Sequence, residues 1–291
     1  MFRRLYALIC LVSAFSSAKA QDGNIVPAHF DQFFNNYYLL NPANEDSASS
    51  LRLRVGNRSL TGVFQGVNRI YFDADAGLRT KRKDRFHSIG IQAFNSREGE
   101  FFSKSRLYGR YSWRTGLTAN SALSAGVSFG IVNYAFRSSQ ASAGGSSSVA
   151  DGNTGVWYLR RRWNLGVSMQ QIFEQQLQPI NQIFILNRYY NFNLTNFFPL
   201  GPHLDLTTHL YSRYQKGEPL NIEFASIVEI QRRVNAGFNY RHDRGIVFLA
   251  GISRISFGSL NMALMASYMA SMKKVNRVTD SVLEFHISLK K

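Results

Sequence analysis

The chain has 291 residues, of which 45% are hydrophobic and 14% aromatic, with 34 Lys and Arg against 18 Asp and Glu. After residue 20, no apolar stretch approaches the roughly 20 residues that a membrane-spanning helix requires, so the sequence excludes a helical membrane protein. The formal net charge of +16 is spread over the whole length, which argues against nucleic-acid binding, where cations cluster on one face. Anionic lipid headgroups, lipopolysaccharide or acidic proteins are better partners for such a charge.

Residues 1–20 have the pattern of a secretory signal peptide. Two arginines near the start precede the apolar run 5–15, and an Ala-x-Ala motif ends at Ala20. The single cysteine, Cys10, lies inside this signal and is not preceded by a good lipoprotein motif. We therefore predict an exported protein that is cleaved before Gln21 and has neither a disulfide nor a lipid anchor.

Residues 21–48 form an N-terminal segment rich in aromatic and Asn side chains. Its centre, FDQFFNNYYLLNPA at residues 30–43, has five aromatics in fourteen positions and neither a strand nor a helix period. Burial of these rings, at roughly 25 cal/mol per Å² of apolar area, would outweigh the cost of ordering the segment. We expect it to dock on the folded remainder, either as a plug or as a cover of the periplasmic side. The candidate plug or partner-binding residues are Phe33, Phe34, Tyr37, Tyr38, Asn41, Pro42 and Ala43.

From residue 49 to residue 291, apolar and polar side chains alternate in short runs separated by turns. In the first run, Leu51, Leu53 and Val55 alternate with Arg52 and Arg54. We identify fourteen such runs, with twelve as the alternative count. They cover residues 51–55, 70–79, 89–93, 106–114, 123–131, 155–161, 163–172, 183–195, 204–210, 222–230, 234–241, 246–252, 260–268 and 283–289. A period of two predicts antiparallel β-strands with one apolar face.

The connections favour a transmembrane β-barrel over a secreted β-sandwich or a soluble barrel. Long connections at 58–68, 95–104 and 138–153 alternate with short ones near 80–85, 115–120 and 161–162. Outer-membrane barrels have long loops on one rim, short turns on the other, an even strand number and both termini in the periplasm. Closure also removes sheet edges that would invite aggregation. We predict an all-β, up-and-down antiparallel barrel over residues 49–291, in the outer membrane of a Gram-negative bacterium.

In this barrel, the charged residues between the apolar ones would line the lumen. They include Arg52, Arg54, Asp73, Asp75, Arg106, Arg110, Glu223 and Glu229. Eight strands enclose a space that side chains fill, so fourteen require a plug or water. The mixture of signs favours ion pairs across the interior, which buried charges require, over an ion-selective channel.

No pattern in the sequence points to catalysis. The G-x-S-x-G motif at residues 126–130 lies within a predicted strand, whereas a nucleophilic serine needs a strand-to-helix turn. The histidines have no metal-ligand spacing, and phosphate and dinucleotide motifs are missing. We predict no enzyme activity, no metal and no cofactor. A lipid-modifying barrel enzyme would need a His/Ser pair at the membrane interface.

Three stretches resemble the PorP/SprF family of the type IX secretion system. Asn41-Pro42-Ala43 closes the aromatic and Asn-rich segment, as in that family. The stretch DGNTGVWYLRRRWNLGVSMQQIF from Asp151 resembles the family's paired strands, and residues 284–289 resemble its last strand. The resemblance spans essentially the whole mature chain.

This resemblance implies an integral outer-membrane protein that supports export or surface attachment of cargo such as adhesins, including gliding motility functions. Other type IX components would be its partners. From the topology we expect the connections at 58–68, 95–104 and 138–153 to hold the cargo. A passive porin or a FadL-like transporter of hydrophobic solutes is the alternative, and it would need an open lumen or a lateral opening.

Overall fold

The computed structural model describes residues 30–44, 49–61, 66–79, 85–139, 143–242, 245–271 and 281–291. The predicted signal peptide and its cleavage site lie outside the described residues. Most of the predicted connection at 80–85 lies outside them as well. In the described ranges, no helix has the length and apolar character needed to cross a membrane.

The described residues form a closed barrel of fourteen antiparallel strands, as predicted. The barrel strands are β1 (Leu51–Thr61), β2 (Val67–Arg79), β3 (Arg85–Glu98), β4 (Phe102–Thr118), β5 (Ser121–Phe136), β6 (Gly145–Arg160), β7 (Trp163–Gln170), β10 (Tyr189–Pro199), β11 (Leu204–Gln215), β12 (Asn221–Ile230), β13 (Val234–Arg241), β14 (Gly245–Phe257), β15 (Leu260–Ser271) and β16 (Ser281–Lys290). A small hairpin, β8 (Gln176–Leu177) and β9 (Phe184–Ile185), lies between β7 and β10. Two 3₁₀ turns, Phe33–Asn35 and Tyr37–Leu39, precede β1.

The barrel is closed by pairing between β1 and β16. Arg52 lies opposite Lys290, and Thr61 lies opposite Ser281. Every other barrel strand pairs with its neighbours in chain order, with β10 following β7. Because the strand number is even, β1 begins and β16 ends at the same rim. We call this the terminal rim and the opposite one the distal rim.

The alternation in the sequence separates two faces of the wall. On β1, Leu51 and Val55 are exposed on the outside, whereas Arg52, Arg54 and Arg58 are buried inside. The same separation recurs around the barrel. The exposed large apolar residues include Ile70, Phe72, Ile89, Ile91, Leu107, Val127, Phe129, Ile131, Val156, Val167, Phe192, Phe224, Phe238, Phe248, Ile252, Phe285 and Ile287. An apolar band around a barrel is the surface that lipid covers.

The strands are longer and the distal connections shorter than the sequence indicates. The turn between β3 and β4 is only residues 99–101, and β6 begins at Gly145 inside the predicted loop at 138–153. Backbone pairing with β5, from Phe136↔Gly145 to Val132↔Val149, holds this Gly/Ser-rich stretch as a strand. Composition was therefore a poor guide to the loop boundaries.

The longest described distal connection is residues 171–188, which we call the inner loop. Its Leu177, Phe184 and Leu186 are buried in one cluster with Tyr108 of β4 and with Val132 and Tyr134 of β5. The Phe184 ring lies 5.7 Å from the ring of Phe102, between centroids. The inner loop thus fills part of the lumen near the distal rim.

Candidate functional site: the lumen segment and its docking surface

Residues 30–44, which we call the lumen segment, lie inside the barrel. The segment contacts strands from all around the wall. Its hydrogen-bond partners lie on β1 (Arg58), β5 (Ser124), β7 (Ser168), β11 (His209), β13 (Asn239) and β16 (Glu284). Only a position in the interior can reach opposite walls, so the segment crosses the lumen.

At one end of the segment, Asp31 joins a buried ion-pair network. Arg241 Nη1 donates to Asp31 Oδ1 at 2.5 Å, and Arg58 Nε donates to Asp31 Oδ2 at 3.2 Å. The Glu284 carboxylate accepts the backbone N–H groups of Asp31, at 2.7 Å, and of Gln32, at 2.9 Å. Charge-assisted hydrogen bonds of this kind are the strong ones. They hold both the side chain and the backbone of the segment.

A second network on β1, β2 and β4 lies next to the segment. Arg110 Nη1 donates to Asp73 Oδ2 at 3.1 Å, and Arg54 Nη1 donates to Asp75 Oδ1 at 3.0 Å. Arg52 also pairs with Asp75, and Arg54 with Asp73. All five side chains are buried. Three cations therefore face two anions.

The ring of Tyr38, from the lumen segment, covers this network. The guanidinium carbons of Arg110, Arg54 and Arg52 lie 3.9, 4.1 and 5.1 Å from the ring centroid. An aromatic face attracts cations, most strongly where both are desolvated. Burial raises the pKa of the Tyr38 hydroxyl, so the ring stays neutral, and this hydroxyl has no hydrogen-bond partner among the described residues. The face of the ring rather than its polar tip makes the contact.

The Asn-Pro-Ala motif docks between β6 and β7. Asn41 Nδ2 donates to the carbonyl oxygens of Val156 and Val167, both at 3.1 Å, and Asn41 Oδ1 accepts the N–H of Ala43 at 2.9 Å. A Cβ atom at Gly155 would lie 2.1 Å from Asn41 Oδ1. Only a glycine at position 155 therefore lets the Asn41 side chain come this close to the backbone of β6. Two stretches that carry the family resemblance thus bind each other.

The backbone carbonyl groups of Leu40 and Ala43 also accept hydrogen bonds from the barrel wall. Leu40 O accepts hydrogen bonds from Ser168 Oγ at 2.5 Å, Gln170 Nε2 at 2.7 Å and Asn191 Nδ2 at 2.9 Å. Ser124 Oγ donates to Ala43 O at 2.8 Å. Buried backbone groups need such partners, and here polar side chains of the lumen supply them.

Three further aromatic rings of the segment surround His209. The Phe34 ring stacks on the His209 ring at 5.0 Å between centroids. Tyr37 Oη lies 2.8 Å from His209 Nδ1, and its ring lies 5.1 Å from that of Trp157. Phe33 completes the cluster. Most of the candidate residues proposed for a plug are therefore in direct contact with the barrel wall.

Of the other candidate lumen charges, Glu223 joins the Asp31 network through Arg241, whereas Glu229 and Arg106 lie apart from both networks. Glu223 is buried and faces Arg241, with 3.5 Å between Oε1 and Nε. Glu229 is partly exposed near the terminal rim, 3.8 Å from Arg254. Arg106 lies over the ring of Phe94, 5.3 Å from its centroid. No single charged cluster thus unites all the predicted residues.

Two residues of the Asp31 network, Arg58 and Asp31, are not among the lumen residues that the sequence predicts. Arg58 falls in the connection predicted at 58–68, although it continues the period of Arg52 and Arg54 at every second position. Asp31 itself has no local signal, because its partners come from strands distant in the chain. In the described part of the chain, no three His, Cys, Asp or Glu side chains form a group that could hold a metal. The G-x-S-x-G motif lies within β5, and its Gly126 contacts Pro42.

Comparisons with known proteins agree with this architecture. The model of the family described as type IX secretion system membrane protein PorP/SprF matches residues 23–290. The Pseudomonas putida toluene transporter TodX aligns with 88% of this chain and 93% of its own, at 10% identity and a TM-score of 0.54. The monoaromatic hydrocarbon channel CymD aligns with 91% of this chain and 94% of its own, at 11% identity and a TM-score of 0.56. At such identities the likeness shows the fold alone. No curated protein matches the sequence significantly.

Proposed function

The chain belongs to the PorP/SprF family of type IX secretion membrane proteins, and on that premise we propose that it is a non-enzymatic component supporting export or surface attachment of cargo proteins such as adhesins. It is an outer-membrane β-barrel. The family match over nearly the whole chain carries the proposal. Other components of the secretion system are the partners that this family suggests.

The contents of the lumen support a role in binding rather than in open conduction. The lumen segment crosses the barrel, and the inner loop packs apolar side chains near the distal rim. A passive porin keeps a water-filled channel. A filled lumen leaves the rims as the surfaces on which a partner acts.

We assign cargo binding to the distal rim. Both ends of the barrel lie at the terminal rim, which faces the periplasm in barrels with an even strand number. The distal turns expose Phe101 (49%) and Ile183 (49%). Exposed apolar side chains at loop tips suit a protein partner. These turns replace the longer loops that the sequence indicated.

The terminal rim has a different chemistry, because it is strongly basic. The exposed cations in its described turns and strand ends are Arg85, Arg160, Arg161, Arg162, Arg232, Arg233, Arg254, Lys290 and Lys291. Such a rim suits anionic phospholipid headgroups or acidic secretion components. Lipopolysaccharide would meet the distal rim in this orientation.

The proposal is tested in a bacterium that lacks this protein, by labelling surface proteins and quantifying them by mass spectrometry. Loss of a defined set of surface proteins, restored by the wild-type chain, is the expected result. The double variant Phe101→Ser, Ile183→Ser should not restore the set. A matched control, Leu117→Ser with Leu200→Ser, changes residues of similar exposure (53% and 56%) at the terminal rim and should restore it. An unchanged surface proteome after deletion would contradict the proposal.

Transport of hydrophobic solutes is a second candidate, because the fold resembles that of TodX and CymD. Uptake of radiolabelled toluene into liposomes that contain the purified barrel tests it. Uptake above that of empty liposomes, and increased by removal of residues 21–44, would favour transport through a gated lumen.

A further inference from the structure

A cavity of about 50 Å³ lies between the lumen segment and the inner wall. Phe30, Phe33 and Leu39 of the segment bound it on one side. The distal halves of β3, β4, β7 and β11 bound it on the others, with Gln92, Arg106, Tyr108, Gln170 and Arg213. Aromatic rings, amides and arginines therefore meet at one place. This mixed lining is typical of a ligand site, where a few polar groups orient a ligand within apolar walls.

Arg106 is a positively charged member of this lining that has no close ion-pair partner among the described residues. No carboxylate oxygen of a described residue lies within 4.0 Å of its guanidinium nitrogens, and its Nε has no hydrogen-bond partner among the described residues. The acidic side chain nearby, Asp151, accepts a hydrogen bond from Tyr108 at 2.7 Å. The ring of Phe94 covers one face of Arg106. The Asp151 carboxylate interacts with the guanidinium only from beyond 4.0 Å, and a buried cation is stabilised by a direct anionic partner.

Buried amide groups in the same lining also lack partners. Gln92 Nε2 and Gln171 Oε1 have no hydrogen-bond partner among the described residues. Both residues line the cavity. Buried polar atoms are usually hydrogen-bonded, so their concentration around one cavity indicates a polar occupant.

We propose that this cavity binds a small carboxylate, whose anionic group pairs with Arg106. A planar guanidinium donates two parallel hydrogen bonds to a carboxylate, which gives both charge balance and orientation. One water needs about 10–15 Å³ of such space, so the cavity accommodates a few heavy atoms, the size of acetate. The site is independent of cargo binding at the distal rim, and either assignment can fail without the other.

The test uses the full-length protein purified in detergent and isothermal titration calorimetry with sodium acetate. Sodium chloride at equal ionic strength and neutral acetamide serve as comparison solutes. Saturable binding of acetate alone is expected. Arg106→Gln should weaken it about tenfold or more, since a hydrogen bond to a charged group contributes about 1.5–3 kcal/mol.

Arg97→Gln is the matched control, because Arg97 is an exposed arginine at the distal end of β3, and it should bind acetate like the wild type. If Arg106→Gln does not fold, Arg106→Lys replaces it. This variant keeps the charge but not the paired donors, so its affinity should fall as well. Equal heats for acetate, chloride and acetamide, or full acetate affinity in a folded Arg106 variant, would overturn the proposal.

Discussion

Asp31 and Arg241 are separated by 210 positions in the chain, yet Arg241 Nη1 donates to Asp31 Oδ1 at 2.5 Å within the lumen. Both side chains are buried. Arg241 ends β13, so the contact requires a nearly complete barrel and a seated lumen segment at the same time. Docking of the segment is therefore coupled to closure of the barrel.

Replacement of Asp31 by Asn tests this coupling. The change keeps the shape of the side chain but leaves Arg58 and Arg241 with one anion fewer in a buried site. Removing one partner of a buried ion pair costs about 3–5 kcal/mol, so the unfolding temperature of the detergent-solubilised protein should fall clearly. Heat-dependent migration on gels measures it. Glu100→Gln, at an exposed turn, is the control and should behave like the wild type. Equal stability of the two variants would show that the Asp31 network is not stabilising.

The close approach at Gly155 gives a second prediction. A Cβ at Gly155 would lie 2.1 Å from Asn41 Oδ1, whereas a Cβ at Gly109 would meet nothing nearer than Phe129 O at 3.9 Å. Gly155→Ala should therefore displace the lumen segment, and Gly109→Ala should not. Limited proteolysis in detergent measures this as faster cleavage before residue 49. Similar cleavage rates in the two variants would mean that the lumen segment stays docked despite the added methyl group at residue 155.

Two substitutions of Tyr38 separate the contribution of its ring to the stability of the protein from that of its hydroxyl. The hydroxyl has no partner among the described residues, so Tyr38→Phe should be as stable as the wild type or slightly more stable. Tyr38→Leu removes the face that covers three guanidinium groups and should lose about 1–2 kcal/mol. Thermal unfolding of the three proteins gives the comparison. A large loss in Tyr38→Phe would reveal a role for the hydroxyl.

The barrel was predictable because apolar and polar side chains alternate with a period of two even in short, imperfect runs. Closure then follows because the backbone groups at both edges of a β-sheet must be hydrogen-bonded inside a membrane. Arg58 was not assigned to β1 because Gly56 and Asn57 interrupt the apolar alternation before it. The structure explains Gly56, where a Cβ would lie 2.2 Å from the ring of Tyr71. Asp31 could not be placed, since its partners depend on strand order and stagger around the wall.

Asn41 provides the sharpest test of the Asn-Pro-Ala contact, because its amide donates to two carbonyl oxygens. Asn41→Ala loses both hydrogen bonds and should cost about 1–3 kcal/mol, at 0.5–1.5 kcal/mol for each bond. Asn41→Asp keeps the shape but is acceptor-only when ionised, so it places a negative charge against two carbonyl oxygens. It should therefore be less stable than Asn41→Ala at neutral pH, although Asp is the closer isostere. Unfolding temperatures in detergent give the order, with Asn120→Asp at an exposed turn as the control for the added charge. If Asn41→Asp were the more stable of the two Asn41 variants, the amide would not be the donor to β6 and β7, and this motif would be held by its backbone contacts alone.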